Sequence, residues 1–78
     1  MEIKNLGISM DITEKFANRL KNLRKQRGLS QEDLALLCGI DRTYIGRIER
    51  LERKPTIVIL DKISKGLGIT LSELVNFD

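Results

Sequence analysis

The stretch QEDLALLCGIDRTYIGRIER, running from Gln31 to Arg50, decides the fold. Ser30 stands before it as an N-cap whose hydroxyl can accept an orphan amide, and Glu32 and Asp33 fill the first turn, where the helix dipole favours acids. Leu34, Leu37 and Cys38 make an inward stripe with small Ala35 beside them, and Gly39 marks a turn. Asp41 is expected to cap the next helix. Its Ile45 and Ile48, three residues apart, face inward and leave Arg42, Thr43 and Arg47 outside. Two short helices therefore cross at a tight turn. Ala35 is small where they approach, Gly39 suits the turn, and Leu34, Cys38, Ile40, Ile45 and Ile48 plug the shared core.

On the N-terminal side, Phe16, Leu20 and Leu23 recur at helical spacing from about Thr13, and Gly28 supplies a stop. Residues 1–12 show no clean period and read as an arm or lead-in, so the domain is expected over 13–78. On the C-terminal side Pro55 excludes a helix interior and Thr56 is a good cap. Ile57, Leu60, Ile63 and Leu67 then repeat as a fourth helix, ended by Gly66 and Gly68. Thr70 with Glu73 forms a capping-box pattern before Leu71, Leu74 and Val75, a short fifth helix. The expected class is all-α, with five short helices.

Composition narrows the chemistry. Seventy-eight residues suffice for one domain, and a chain this short buries only about 60% of its unfolded surface, so a partner subunit would add stability. Apolar residues are 41% and charged residues 32%, a soluble mixture with a formal charge of +3. Phe16, Tyr44 and Phe77 are the aromatics, too few for a single-strand stacking platform. With no histidine and one cysteine, Cys38, neither a usual general base nor a Cys-rich metal site is available; no cofactor or metal is expected. Cys38 on an inward face reads as a small hydrophobe. Scattered carboxylates such as Glu49 and Asp61 form no catalytic pattern, so the chain is not expected to be an enzyme. The absence of a membrane-length apolar run and of a leader pattern predicts a cytoplasmic protein.

Taken together, LRKQRGLSQEDLA, GIDRTYIGRIE and KPTIVILDKISKGLGITLSEL, spanning Phe16 to Leu74, resemble the helix-turn-helix family of phage repressors, the Cro and cI-like regulators. Asp41-Arg42-Thr43-Tyr44 is similar, more narrowly, to the controller proteins of restriction-modification systems. The resemblance implies a lambda-repressor-like domain whose third helix enters the major groove. One departure stands out: relatives commonly have glycine after that helix, where this chain has Leu51. A bulky residue at positive φ is strained, so the helix is expected to continue past Arg50.

On this reading Arg42 and Arg47 present bidentate donors to guanine, Thr43 offers a hydroxyl or methyl, and Tyr44 touches a thymine methyl or a phosphate. Ser30 and Gln31 sit at a helix N-terminus suited to a phosphate oxygen, and Arg53 and Lys54 follow as backbone contacts. The resemblance pairs Arg24 with Glu49 as a structural ion pair. Leu71, Leu74, Val75 and Phe77 have little sequence after them to cover them, which suggests a dimer interface.

The implied function is a sequence-specific regulator of double-stranded DNA, acting as a homodimer on a pseudo-palindromic operator, repressing or activating by its position relative to RNA polymerase. Control of restriction-modification genes is the narrower expectation. The alternative is an antitoxin or adaptor whose main partner is a protein. No membrane partner is expected.

Overall fold

A computed structural model describes residues 11–77. Apart from Asp11 and Ile12, the expected lead-in over 1–12 lies outside the described residues. Among these there are five helices and no strand: α1 Ile12–Gln26, α2 Gln31–Cys38, α3 Tyr44–Glu49, α4 Ile57–Leu67 and α5 Leu71–Leu74.

The first helix begins slightly before the Thr13 that periodicity suggests, because Asp11 and Glu14 close a reciprocal capping box: Glu14 N donates to Asp11 Oδ1 at 3.0 Å and Asp11 N to Glu14 Oε1 at 3.2 Å. Ser30 with Asp33 and Thr70 with Glu73 make the same box at α2 and α5, and Thr56 caps α4 through Ile59 N. Leu20, Leu34, Ile45, Ile48, Ile63 and Leu74 are fully buried, one or more from each helix, so a single core joins all five.

Three details of packing in α2 and α4 depart from the expectations. Leu37 is exposed, because Leu34, Ala35 and Cys38 are the buried residues of α2 and Leu37 lies roughly 100° around the helix from their centre. Ile57 is likewise exposed at the start of α4, where Ile63, Ser64 and Leu67 make the buried side. Gly66 does not end α4 but lies inside it: a Cβ there would stand 3.0 Å from Cys38 Cα, so the missing side chain is what lets α4 approach α2.

Asp41 does not cap α3 directly. Its Oδ1 accepts from Thr43 N at 2.8 Å and from Thr43 Oγ1 at 2.6 Å, an Asx-type turn, and α3 starts only at Tyr44 with no side-chain cap bond. Nor does α3 continue past Arg50. Leu51 adopts φ 65°, Leu51 N donates to Ile48 O, and Glu52 N returns to Arg47 O at 2.8 Å. These two bonds satisfy the last carbonyls of the helix, which outweighs the cost of a left-handed leucine.

Glu49 ties three helices. Arg24 of α1 donates Nε to Oε2 at 2.7 Å and Nη2 to Oε1 at 2.9 Å, and Gln31 of α2 adds Nε2 to Oε1 at 3.0 Å. Arg24 Nη1 also donates to Leu29 O at 2.8 Å, fixing the α1–α2 turn. The Arg24 and Glu49 side chains retain only 10% and 5% exposure. Burial works against the Glu49 anion, but the hydrogen bonds from Arg24 and Gln31 outweigh it and hold the carboxyl below the usual glutamate value.

Two outcomes follow from this architecture. Leu51→Gly removes left-handed strain of about 1–2 kcal/mol, against an entropy cost to glycine of roughly 0.5–1 kcal/mol. Leu51 is 48% exposed, so losing its half-buried side chain costs roughly 1 kcal/mol as well. The three contributions nearly cancel, so a thermal melt should stay within a few degrees of wild type, whereas Leu51→Ala, which keeps the strain and loses the same contacts, should melt lower; equal midpoints for the two variants would contradict the strain assignment. Glu49→Gln leaves the Arg24 guanidinium buried without its counter-charge, and should cost roughly 3–5 kcal/mol at pH 7. Because the folded pKa of Glu49 is depressed, its contribution is present above the unfolded value of about 4.3 and is lost as pH falls through the lower folded value. The gap in denaturation midpoint between wild type and Glu49→Gln should thus narrow from pH 6 to pH 3; a constant gap would rule out the ion pair as its source.

Candidate nucleic-acid interface

Side-chain placement on α3 follows from the helical period of its short run. Ile45 and Ile48 are fully buried against α1 and α2, so the opposite side of the same two turns faces solvent. Arg42, Thr43 and Arg47 are exposed there, and Tyr44 is half-buried at the first helical position. Tyr44 and Arg47 belong to α3, and Arg42 and Thr43 to the turn that leads into it, so the four gather at the N-terminal end of a helix that packs against α2, with Ala35 buried and Gly39 left-handed in the preceding element and its turn. Arginine donors and a small hydroxyl-bearing side chain on such a face match the groove edge of base pairs chemically.

The neighbouring groups refine what each can offer. The Thr43 hydroxyl already donates to Asp41 at 2.6 Å, so toward a base it presents its methyl and an accepting lone pair. The same two bonds, from the Thr43 hydroxyl and then its amide, hold the Asp41 carboxyl below its ordinary value. Arg53 lies over the Tyr44 ring with its guanidinium carbon 5.6 Å from the centroid, which joins the residue after the α3 reversal back to the start of α3. Lys54 follows, exposed.

The phosphate candidates at α2 are more constrained than their residue types suggest. The Ser30 hydroxyl accepts from Asp33 N at 2.9 Å and its amide donates to Asp33 Oδ2 at 3.0 Å, so Ser30 is committed to its capping box. The Gln31 side chain donates to Glu49 and is therefore fixed in orientation before any ligand arrives.

Two residues escaped the sequence reading. Gly46 is buried in the middle of α3, and a Cβ there would fall 2.8 Å from both Gln31 Oε1 and Arg50 Nη1. Its bare backbone makes room for both side chains beside the helix. Arg50 in turn donates Nε to Glu52 Oε2 at 3.0 Å and Nη2 to Glu52 Oε1 at 3.3 Å. A glycine between two inward isoleucines was the available signal for Gly46. Arg50 gave none, because its partner is brought back by the Leu51 turn.

Away from this face, Leu74 is fully buried and belongs to the core of its own chain, so it is withdrawn from the candidate dimer interface. Val75 is exposed, while Leu71 and Phe77 are half-buried. Val75 and Phe77 border a largely apolar groove of about 320 Å³ completed by Ile12, Thr13, Phe16, Lys54, Pro55 and Leu60. Cys38 is buried, and desolvation pushes its thiol up to about 11, which leaves it un-ionised and inert at neutral pH. Among the described residues no group of three His, Cys, Asp or Glu side chains can hold a metal ion, and no helix is long and apolar enough to cross a membrane.

Comparison with known proteins gives a consistent result. A family profile described as helix-turn-helix matches residues 20–74. Control protein C.MunI from Mycoplasma sp is 54% identical over 65 residues, covering 82% of this chain and 88% of that protein. The crystal structure of the restriction-modification controller protein C.AhdI from Aeromonas hydrophila superposes with a TM-score of 0.75 at 45% identity, over 80% of this chain and 94% of that one. The restriction-modification controller protein C.Esp1396I, seen as a tetramer in complex with its natural 35 base-pair operator, superposes with a TM-score of 0.73 at 35% identity, over 86% of this chain and 97% of that one. The chain belongs to the helix-turn-helix family of DNA-binding transcriptional regulators, a family of non-enzymes that includes the restriction-modification control proteins.

Proposed function

We propose that this chain is a cytoplasmic, sequence-specific regulator that binds double-stranded DNA as a homodimer and controls restriction-modification genes from a pseudo-palindromic operator. The observation that carries the reading is the exposed set Arg42, Thr43 and Arg47, on α3 and the turn that opens it, opposite the fully buried Ile45 and Ile48. Such a helix can enter the major groove without disturbing the core. Tyr44 joins them at the base edges, and Gln31, Arg53 and Lys54 hold phosphates, with Ser30 contributing through the helix end it caps. The likeness to control proteins supports the choice of target genes, and the operator complex of C.Esp1396I supports both the duplex ligand and the assembly of several copies. Regulation then needs no chemistry: an occupied promoter blocks or recruits RNA polymerase according to where the site lies. An adaptor that binds only protein would leave the outward Arg42 and Arg47 without a purpose.

The dimer is assigned to Leu71, Val75 and Phe77, of which Val75 and Phe77 border the apolar groove that a second copy would cover. Two copies joined there would present their third helices about one turn of DNA, roughly 34 Å, apart.

Selection of bound sequences from a random duplex pool should enrich a two-fold symmetric motif. On that motif Arg47→Ala should cost about 1–3 kcal/mol and relax preference at one base pair, whereas Lys54→Ala should weaken matched and random duplexes alike. Equal losses on both duplexes for Arg47→Ala would remove its base-reading role, and a pool without enrichment would remove the function. Val75→Asp should leave the helical content intact while shifting light-scattering mass toward the monomer and weakening operator binding. A wild-type protein that stays monomeric on its operator would exclude the dimer.

A further inference from the structure

Four helix ends in this fold close in the same way. Gly28, Gly39, Leu51 and Gly68 are left-handed. After each, an amide reaches back five residues: Leu29 to Arg24, Ile40 to Ala35, Glu52 to Arg47 and Ile69 to Ser64, at 2.8 to 3.1 Å. Leu29, Ile40 and Ile69 pack against the core, the apolar contact that commonly accompanies this reversal. Glu52 breaks the pattern. At the end of α3 alone the left-handed position carries a side chain, and there the returning residue is an exposed carboxylate.

The strained turn thus delivers a negative charge to the end of the helix that carries the outward Arg47. Glu52 takes both Nε and Nη2 of Arg50, at 3.0 and 3.3 Å. Arg50 also places Nη1 over Gly46, near the carboxamide oxygen of Gln31, a residue assigned to phosphate. The hydrogen bonds from Arg50, and then its charge and that of Arg47, keep the Glu52 carboxyl below its ordinary value, so it is ionised at neutral pH. Both side chains of the pair are about half exposed. An exposed pair of this kind is weak enough to be exchanged for another anion, and a phosphate is the anion that the neighbouring Gln31 would bring near.

We infer that Glu52 is a selectivity residue: it clasps Arg50 and repels phosphate on unmatched DNA, and releases Arg50 to the backbone only where base contacts hold the duplex in register. This rests on the DNA-binding reading above. Without the clasp, one more guanidinium would be free to neutralise phosphate on any sequence, which strengthens binding that carries no sequence information.

The test compares the full chain with its Glu52→Gln, Arg50→Gln and doubly substituted forms, on the selected operator and on a scrambled duplex of equal length, at 50 to 200 mM salt. Glu52→Gln keeps the shape of the side chain and the main-chain bond to Arg47, and a melt within a few degrees of wild type verifies the fold. The expected result is binding of scrambled duplex about 5- to 10-fold tighter, a salt slope steeper by about 1, and a several-fold smaller ratio of operator to scrambled affinity. In the Arg50→Gln background the same change should alter scrambled binding less than about 2-fold. Unchanged scrambled binding would reduce the pair to a solvated surface contact, and parallel gains on both duplexes would reduce Glu52 to a general charge; either result overturns the proposal. If wild type discriminates between duplexes and Glu52→Gln discriminates equally well, only the Glu52 assignment fails. If wild type retains neither duplex, the DNA-binding reading fails with it.

Discussion

The carboxylate of Glu49 is the point on which the arrangement of the first three helices depends. A helix of six residues has little stability of its own, and α3 spans only Tyr44–Glu49. Its direction must come from what it packs against and what it is bonded to. Ile45 and Ile48 supply the apolar contact, which is strong but non-directional. Arg24 and Gln31 supply direction, because a planar guanidinium meeting a carboxylate at two points tolerates little rotation. Burial of these charges costs desolvation, so the pair is weak evidence of net stability and better evidence of a specified angle. The angle is what a groove-binding helix needs.

Gly46 fits the same constraint from the other side. With Ile45 and Ile48 committed to the core and Arg42 and Arg47 to solvent, the flank of α3 facing Gln31 has to accommodate both an amide and Arg50. Even a methyl group at position 46 would meet both. A glycine inside a helix costs roughly 0.5–1 kcal/mol relative to alanine, and here the cost secures a flank on which the Gln31 amide is pre-oriented. The residues proposed to bind and those that brace are therefore interleaved along one short segment, and neither set can be altered without reference to the other.

Much of this was legible from residue type and spacing alone. Capping chemistry at Ser30, Thr56 and Thr70 is local, and apolar spacing at Leu20, Leu34, Ile45 and Ile63 encodes burial directly. What failed did so where two rules competed. Leu37 satisfied helical spacing from Leu34 but lost to Ala35, whose small side chain marks the closer approach. Asp41 had the right chemistry for a cap and used it on Thr43, which delays the helix. At Leu51 intrinsic conformational preference argued for continued helix, while two main-chain bonds to Ile48 and Arg47 decided for reversal. Leu74 shared a stripe with Val75, and only the packed core separates a residue buried within one chain from one left for a second.

The reversal at Leu51 has a wider role than ending a helix. Between Glu52 and Thr56 the chain passes from the outward face of α3 to the apolar groove: Arg53 lies over Tyr44, and the next two residues, Lys54 and Pro55, line the groove with Val75 and Phe77. Pro55 fixes its own φ, and Thr56 starts α4 at once, so few free dihedrals remain in this connection. In the proposed dimer, the distance between two reading helices is set by how each is held relative to the groove that the second copy covers. A continued α3 would have carried Arg53 away from Tyr44 and Pro55 away from the groove. The left-handed leucine thus stores strain at the junction that, in the proposed dimer, would link base reading to half-site spacing, a connection where a compliant linker would let the two drift apart.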